Sequence, residues 1–128
     1  MPSTQSLEKS PTPEWIIDFF HEIDSKQFGP NFNIFAENAE MTFGVGHWVG
    51  LAEIKANLQR FDEVMDTEHS ITAFYDGGSI KIIRGHVKMT AHDNGKVVSP
   101  AMVHLFYMDE TGTNKVRATF GSVGPTSF

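Results

Sequence analysis

The chain has 128 residues, no cysteine, six histidines, 12% aromatic residues and a formal charge of -6. A chain of this length forms one domain that buries roughly two thirds of its unfolded surface without a disulfide or metal staple. The missing cysteine excludes disulfide scaffolds, thiol nucleophiles, thiolate zinc sites and iron-sulfur clusters. Sixteen acidic against ten basic residues, with no Lys/Arg cluster, make nucleic acid an unexpected partner.

Residues 1–12 (MPSTQSLEKSPT) are expected to form a flexible terminus, followed by a single domain over 13–128. The terminus lacks the basic start and apolar core of a signal peptide, and no apolar run elsewhere can cross a bilayer. A cytoplasmic protein with no membrane partner is the expectation. Thr12-Pro13-Glu14 reads as an N-cap, a proline at the first helical position and a favourable acid. Trp15, Ile16, Phe19, Phe20 and Ile23 then mark one apolar helix face running to about Ser25.

Phe28, Phe32 and Phe35, spaced by four and three after Gly29-Pro30, predict a short second helix. Met41, Phe43 and Val45 alternate as in a strand, and glycines around His47-Trp48 predict a tight reversal. A third helix carries Ile54, Leu58, Phe61 and Met65 on its buried stripe. After Asp66 the period becomes two, with strands near 67–75, 79–92, 96–108 and 115–123 joined by Asp76-Gly77-Gly78, Asp93-Asn94-Gly95 and Asp109 to Asn114. The predicted fold is α+β: a cone-shaped barrel of three N-terminal helices packed on a curved antiparallel sheet.

This order of elements, with Trp48-Val49-Gly50 before the third helix, resembles the nuclear transport factor two-like (SnoaL-like) superfamily over residues 13 to 123. Locally it resembles scytalone dehydratase at Ile23-Asp24-Ser25-Lys26, at Thr67-Glu68-His69, and at the histidine pair His86 and His92. The resemblance implies Asp24, His69 and His92 as a polar triad that removes water without metal or coenzyme. That family's tyrosine stands as Ile23 here, and its serine and asparagine fall near Ala101 and Val103. The aspartates used by steroid isomerases and SnoaL-like cyclases are replaced by Thr42-Phe43 and by Ala118-Thr119-Phe120-Gly121, which disfavours both chemistries.

Histidine moves protons near neutral pH, and an adjacent carboxylate fixes its tautomer and raises its basicity. This is the case for Asp24 with His69; the competing reading makes Asp24 a helix terminator and His69 a strand start at a solvated edge. His92 shares strand parity with Ile80, Ile82, Arg84, His86, Lys88 and Thr90, a mostly polar row, and needs a bulge to turn inward. His104 lies among Met102, Phe106 and Met108, either as a core or interface residue or as a catalytic group in the cavity. His21 falls off the apolar stripe and is expected to face solvent.

Trp48 is a candidate stacking wall or a core residue, His47 borders it, and Tyr75 shares parity with His69. With Phe19, Phe20, Phe61, Met65 and Met102 these are the candidate lining of a pocket for a small hydrophobic molecule. Gly44-x-Gly46 is not a dinucleotide loop, because the third glycine is misplaced and His47-Trp48 blocks phosphate approach. No H-x-H or H-E-x-x-H spacing supports a metal, no cofactor is implied, and no serine in the structured part suits a Ser-His-Asp triad. The expected activity is a cofactor-independent lyase or isomerase, dehydratase-like, on a polyketide-like or terpenoid substrate. The alternative is a non-catalytic ligand-binding or dimerisation domain. A homodimer through the sheet is expected from an apolar outward row, either Val98, Met102 and Phe106 or Val97, Val103, Leu105 and Tyr107.

Overall fold

The computed structural model describes residues 8–110 and 115–124. Helix α1 (Glu14–Ser25) buries the predicted stripe, Ile16, Phe19, Phe20 and Ile23. Pro13, rather than Thr12, is its N-cap: the proline ring holds φ at -62° while ψ is extended at 146°, and the Pro13 carbonyl accepts from the N–H groups of Ile16 and Ile17. The helix ends at Lys26, which takes the left-handed conformation (φ 62°) that a glycine usually occupies.

The predicted second helix is not α-helical. Pro30–Ile34 form a single 3-10 segment, and strand β2 (Phe35–Phe43) begins where the helix was expected to end. The four-and-three spacing of Phe28, Phe32 and Phe35 misleads because the three rings converge from a loop, a 3-10 turn and a strand. Phe32 lies 4.8 Å from Phe28 and 6.0 Å from Phe35 between ring centroids. The carboxylate of buried Glu22 holds the intervening loop, accepting from the Gly29 N–H at 2.8 Å, the Asn31 N–H at 3.1 Å and the Asn31 side-chain amide.

The reversal after β2 is the two-residue turn Gly44-Val45, so His47 and Trp48 lie on strand β3 (Gly46–Val49) rather than in the turn. Helix α2 (Leu51–Val64) follows and buries Ile54, Leu58 and Asp62. Met65, expected on the helix stripe, is instead the first residue of β4 (Met65–Asp76). Strand β1 (Glu8–Ser10) pairs antiparallel with β4, so these three residues of the stretch expected to be flexible form an edge strand; residues 1–7 lie outside the described part.

Strands β5 (Ile80–Ala91), β6 (Val97–Val98), β7 (Ala101–Met108) and β8 (Val116–Val123) complete the predicted run. Gly78 and Gly95 adopt positive φ in the predicted turns, while the turn expected at Asp109 to Asn114 falls largely outside the described residues. The strand expected over 96–108 is split at Ser99-Pro100, since proline has no N–H for the ladder. The strands form one curved, unclosed sheet in the order β1-β4-β5-β7-β8-β2-β3, with β6 on β5. It is not wholly antiparallel: β2 and β8 run parallel, Met41 opposite Thr119.

Among the described residues two α-helices and a 3-10 turn, not three helices, thus cover the inner face. Phe19 is the hub of that core, with its ring 5.0 to 6.0 Å from Phe20, Phe32, Phe35 and Phe106. Burying such a ring contributes roughly 2–3 kcal/mol. On β7 the even row faces inward, with Met102 and Phe106 at most 1% exposed, while Val103 on the odd row is 41% exposed. Of the two candidate outward rows, the one with Val103, Leu105 and Tyr107 faces out.

Candidate active site

The end of α1 and the start of β4 meet at Asp24. Its carboxylate accepts from the Thr67 hydroxyl at 2.7 Å, the His69 backbone N–H at 2.8 Å and, at 2.5 Å, the His69 ring Nδ1. A carboxylate only accepts, so Nδ1 carries the hydrogen, and in the neutral ring Nε2 holds the lone pair. Burial pushes the Asp24 carboxyl up, but the hydrogen bonds from His69 and Thr67 and the charge of His69 outweigh it. The net result lies below the ordinary carboxylate value of 3.8. A fixed tautomer held by an ionised carboxylate is the arrangement a general base requires.

His69 lines two spaces. On the outer side it shares a hollow with Asp24, His21 and Ile17. On the inner side it borders a small apolar cavity of about 40 Å³ whose walls include Phe20, Ile23, Leu58, Phe61 and His104. Phe20 packs between the two histidines, 4.7 Å from the His69 ring and 5.0 Å from that of His104. His104 stands on the inward row of β7 opposite Gly121, and a Cβ there would come 2.5 Å from the imidazole Cε1. The glycine on β8 is what leaves room for the ring.

Nε2 of His104 is buried and has no hydrogen-bond partner among the described residues. Burial, helped by the charge of His69, pushes its pKa down to about 3. His104 is therefore neutral at physiological pH: it offers a hydrogen bond to a ligand, not a charge. The imidazolium needed to protonate a departing oxygen is not available there.

Of the residues predicted for the site, His69, His104, Phe20 and Phe61 line this cavity, and Asp24 holds His69 from the outer hollow. The others lie elsewhere. His92 follows β5 on the surface, its Nδ1 bonded to the Glu63 carbonyl and its Nε2 2.8 Å from Asp66, which also pairs with Lys26; no bulge turns it inward. His86 is exposed on the outer row, as is His21 on α1. His47 contacts Thr42 and Glu40 and is half exposed. Trp48 packs against the core beside Gly46, Met102 is wholly within the core, and Met65 and Tyr75 belong to opposite ends of β4.

Two polar residues escaped the sequence reading. Thr67 is buried as the third donor on Asp24, a role invisible without the fold. Asp62 is 4% exposed, and neither of its oxygens has a hydrogen-bond partner among the described residues. Its signal was present in the sequence: Ile54, Leu58 and Asp62 are spaced by four, so an acid stands on the apolar stripe of α2. Among the described residues no group of three or more His, Asp or Glu side chains is arranged to hold a metal, and no helix is long and apolar enough to cross a membrane.

No protein-family model matches the chain. No curated protein matches it in sequence. Solved structures do. An NTF2-like protein of unknown function from Burkholderia pseudomallei superposes with a TM-score of 0.76 at 12% identity, over 87% of this chain and 88% of that one. An LEH-like epoxide hydrolase from M. tuberculosis gives 0.71 at 11% identity, over 86% and 80%. TerC co-crystallised with polyporic acid gives 0.73 at 16% identity, over 87% and 89%. The chain thus has the nuclear transport factor two-like (NTF2-like) fold anticipated from its element order.

Proposed function

We propose that the protein is a cofactor-independent lyase or isomerase, dehydratase-like, for a hydrophobic oxygenated small molecule such as a polyketide or terpenoid, with the concave side of the sheet as its ligand chamber. The observation that carries this reading is the Asp24 carboxylate gripping His69 Nδ1 at 2.5 Å where that ring walls an apolar cavity. Nε2 of His69 takes a proton from a carbon beside a carbonyl, and the electron pair moves onto the carbonyl oxygen as an enolate. In a dehydration the enolate re-forms the carbonyl and expels a β-hydroxyl, which leaves as water with the proton that His69 returns. Neutral His104 supplies a hydrogen bond to the substrate, and Ile23, Leu58 and Phe61 keep bulk water out.

A volume of about 40 Å³ holds little more than a water molecule, whereas pockets for drug-sized ligands run to roughly 300 Å³ or more. Ligand entry therefore requires lining groups to move. Phe43 and Phe61, edge-to-face at 5.9 Å, line the cavity and both retain solvent contact, which makes them the side chains best placed to swing aside. That TerC was crystallised with polyporic acid supports a ligand of this kind.

A thermal-shift screen with hydroxylated aromatic and cyclic ketone compounds tests the proposal. At least one compound is expected to raise Tm of the native chain and to lose that effect on His69→Ala. A stabilising compound whose effect survives the substitution unchanged removes His69 from the site and favours the non-catalytic alternative.

We further propose a homodimer through the outward sheet face, where Ile82, Val103, Leu105 and Phe120 lie side by side on β5, β7 and β8. Val103 and Phe120 are 41% and 44% exposed, an apolar surface that a second copy would cover. Light scattering is expected to give twice the chain mass, falling to one chain for Phe120→Glu. A native chain that runs as a monomer at micromolar concentration rejects this arrangement.

A further inference from the structure

Asp62 is on the last turn of α2, on the side of the helix that packs inward. Glu22 and Asp24, the other two well-covered acids, each accept three hydrogen bonds. Asp62, 4% exposed, accepts none among the described residues. A carboxylate withdrawn from water without donors is strongly disfavoured, so this acid must either hold its proton or act on a neighbouring charge. An apolar residue there would continue the stripe of Ile54 and Leu58 and pack without cost, so the acid is not explained by stability.

The charged groups around it come from α1, β4, its own helix and the segment after β5. Asp24 and Lys26 face it from the end of α1, and Asp66 and His69 from β4. Glu63 on its own helix and His92 after β5 line the same cleft. Lys26, whose ammonium pairs with Asp66 at 2.5 Å, is the strongest charge favouring ionisation of Asp62, but it does not hydrogen-bond the carboxyl. The Asp24–His69 pair is among the charges that act on Asp62.

We infer that Asp62 is a second, proton-holding carboxyl of the Asp24–His69 site: a positioning residue that does not touch the ligand but sets the charge against which His69 takes up a proton. As a neutral acid it leaves Asp24 as the one negative charge beside the imidazole. Once ionised it adds a second, which stabilises the imidazolium formed when Nε2 accepts a proton. The two groups then titrate as a coupled pair. Burial pushes the Asp62 carboxyl up to about 6, with Lys26 opposing and Asp24 adding to the rise. The role rests on the Asp24–His69 pair being the reactive element proposed above, but the coupling itself needs no substrate to be seen.

Carbon-13 NMR of the labelled native protein between pH 4 and 8 tests this directly. The Asp62 side-chain carboxyl is expected to titrate close to pH 6. In Asp62→Asn the titration midpoint of the His69 ring is expected to move to lower pH by about half a unit or more, with Asp62→Glu restoring it. An identical His69 curve in native protein and Asp62→Asn overturns the inference. If Asp62→Asn does not fold, the native protein decides alone: an Asp62 carboxyl that titrates below about pH 4.5, near its ordinary range, has no proton to hold and also overturns it. Should His69 respond to Asp62 while ligand effects prove indifferent to His69→Ala, the coupling stands and the enzymatic reading falls.

Discussion

Asp24→Asn is expected to abolish turnover of any substrate the cavity accepts, by roughly 10²–10⁴-fold, while leaving α1 in place. The carboxylate presents acceptors to three donors, the Thr67 hydroxyl, the His69 N–H and the His69 Nδ1–H. An asparagine offers one acceptor oxygen and, in place of the other, an NH2 group that must face one of those donors. The cheapest escape is for His69 to change tautomer, so that Nδ1 accepts from the amide and Nε2 carries the hydrogen. The free base is then gone. Nitrogen-15 spectra of the imidazole read this change without a substrate; an unchanged tautomer in Asp24→Asn would contradict the geometry of the pair.

Stability follows the same bonds, with a loss of about 1–3 kcal/mol from the orphaned donors. The pH dependence has a definite sign. The Asp24 carboxyl is held below 3.8 in the folded protein, so the stability it contributes is complete above that value and is lost as pH falls through the lower, folded one. Acid unfolding of Asp24→Asn should therefore be shallower in pH than that of the native chain.

Gly85→Ala should cost at least about 3 kcal/mol, lowering Tm by about 10 °C or more. Gly85 lies on β5 opposite the irregularity in β4 between Ile71 and Ala73, and a Cβ there would stand 1.9 Å from the Ser70 carbonyl oxygen. The obstacle is backbone, flanked by the Ser70 carbonyl carbon and the Ile71 Cα, so no rotamer relieves it. Gly78→Ala is the matched control. Nothing lies within 4 Å of a Cβ at Gly78, and only its positive φ of 77° opposes the change, at about 1–2 kcal/mol. A thermal melt of Gly85→Ala within a degree or two of the Gly78→Ala melt would show that the β4–β5 pairing yields easily.

Gly85 also marks a limit of sequence reading. As an isolated glycine in an alternating strand it gave no hint that another backbone passes over it. The same limit shows at Phe28, Phe32 and Phe35, where three aromatic residues at helical spacing meet in space without a helix between them. Local periodicity reports which residues are buried; it does not report whether one element or three bury them. The parallel pairing of β2 with β8 was equally hidden, because it joins residues nearly eighty positions apart.

At the site, Asp24 and His69 were singled out by the resemblance of Ile23-Asp24-Ser25-Lys26 and Thr67-Glu68-His69 to scytalone dehydratase, and the fold places the two side chains in contact. His92 carried the same chemistry and was separated from them by its place after β5, where Asp66 and the Glu63 carbonyl hold its ring at the surface. For His104 the deciding facts were the inward row of β7 and the glycine across from it, which together make the ring a neutral member of the cavity.

An amphipathic first helix and a run of period-two strands determined by themselves an α+β fold, and the missing cysteine removed thiol chemistry from it. Those properties are local, written in residue type and spacing. The pairing of β2 with β8, the direction of each β7 row, the three donors on Asp24 and the isolation of Asp62 were decided only by the tertiary structure, because each depends on which distant segments come within hydrogen-bond or van der Waals reach.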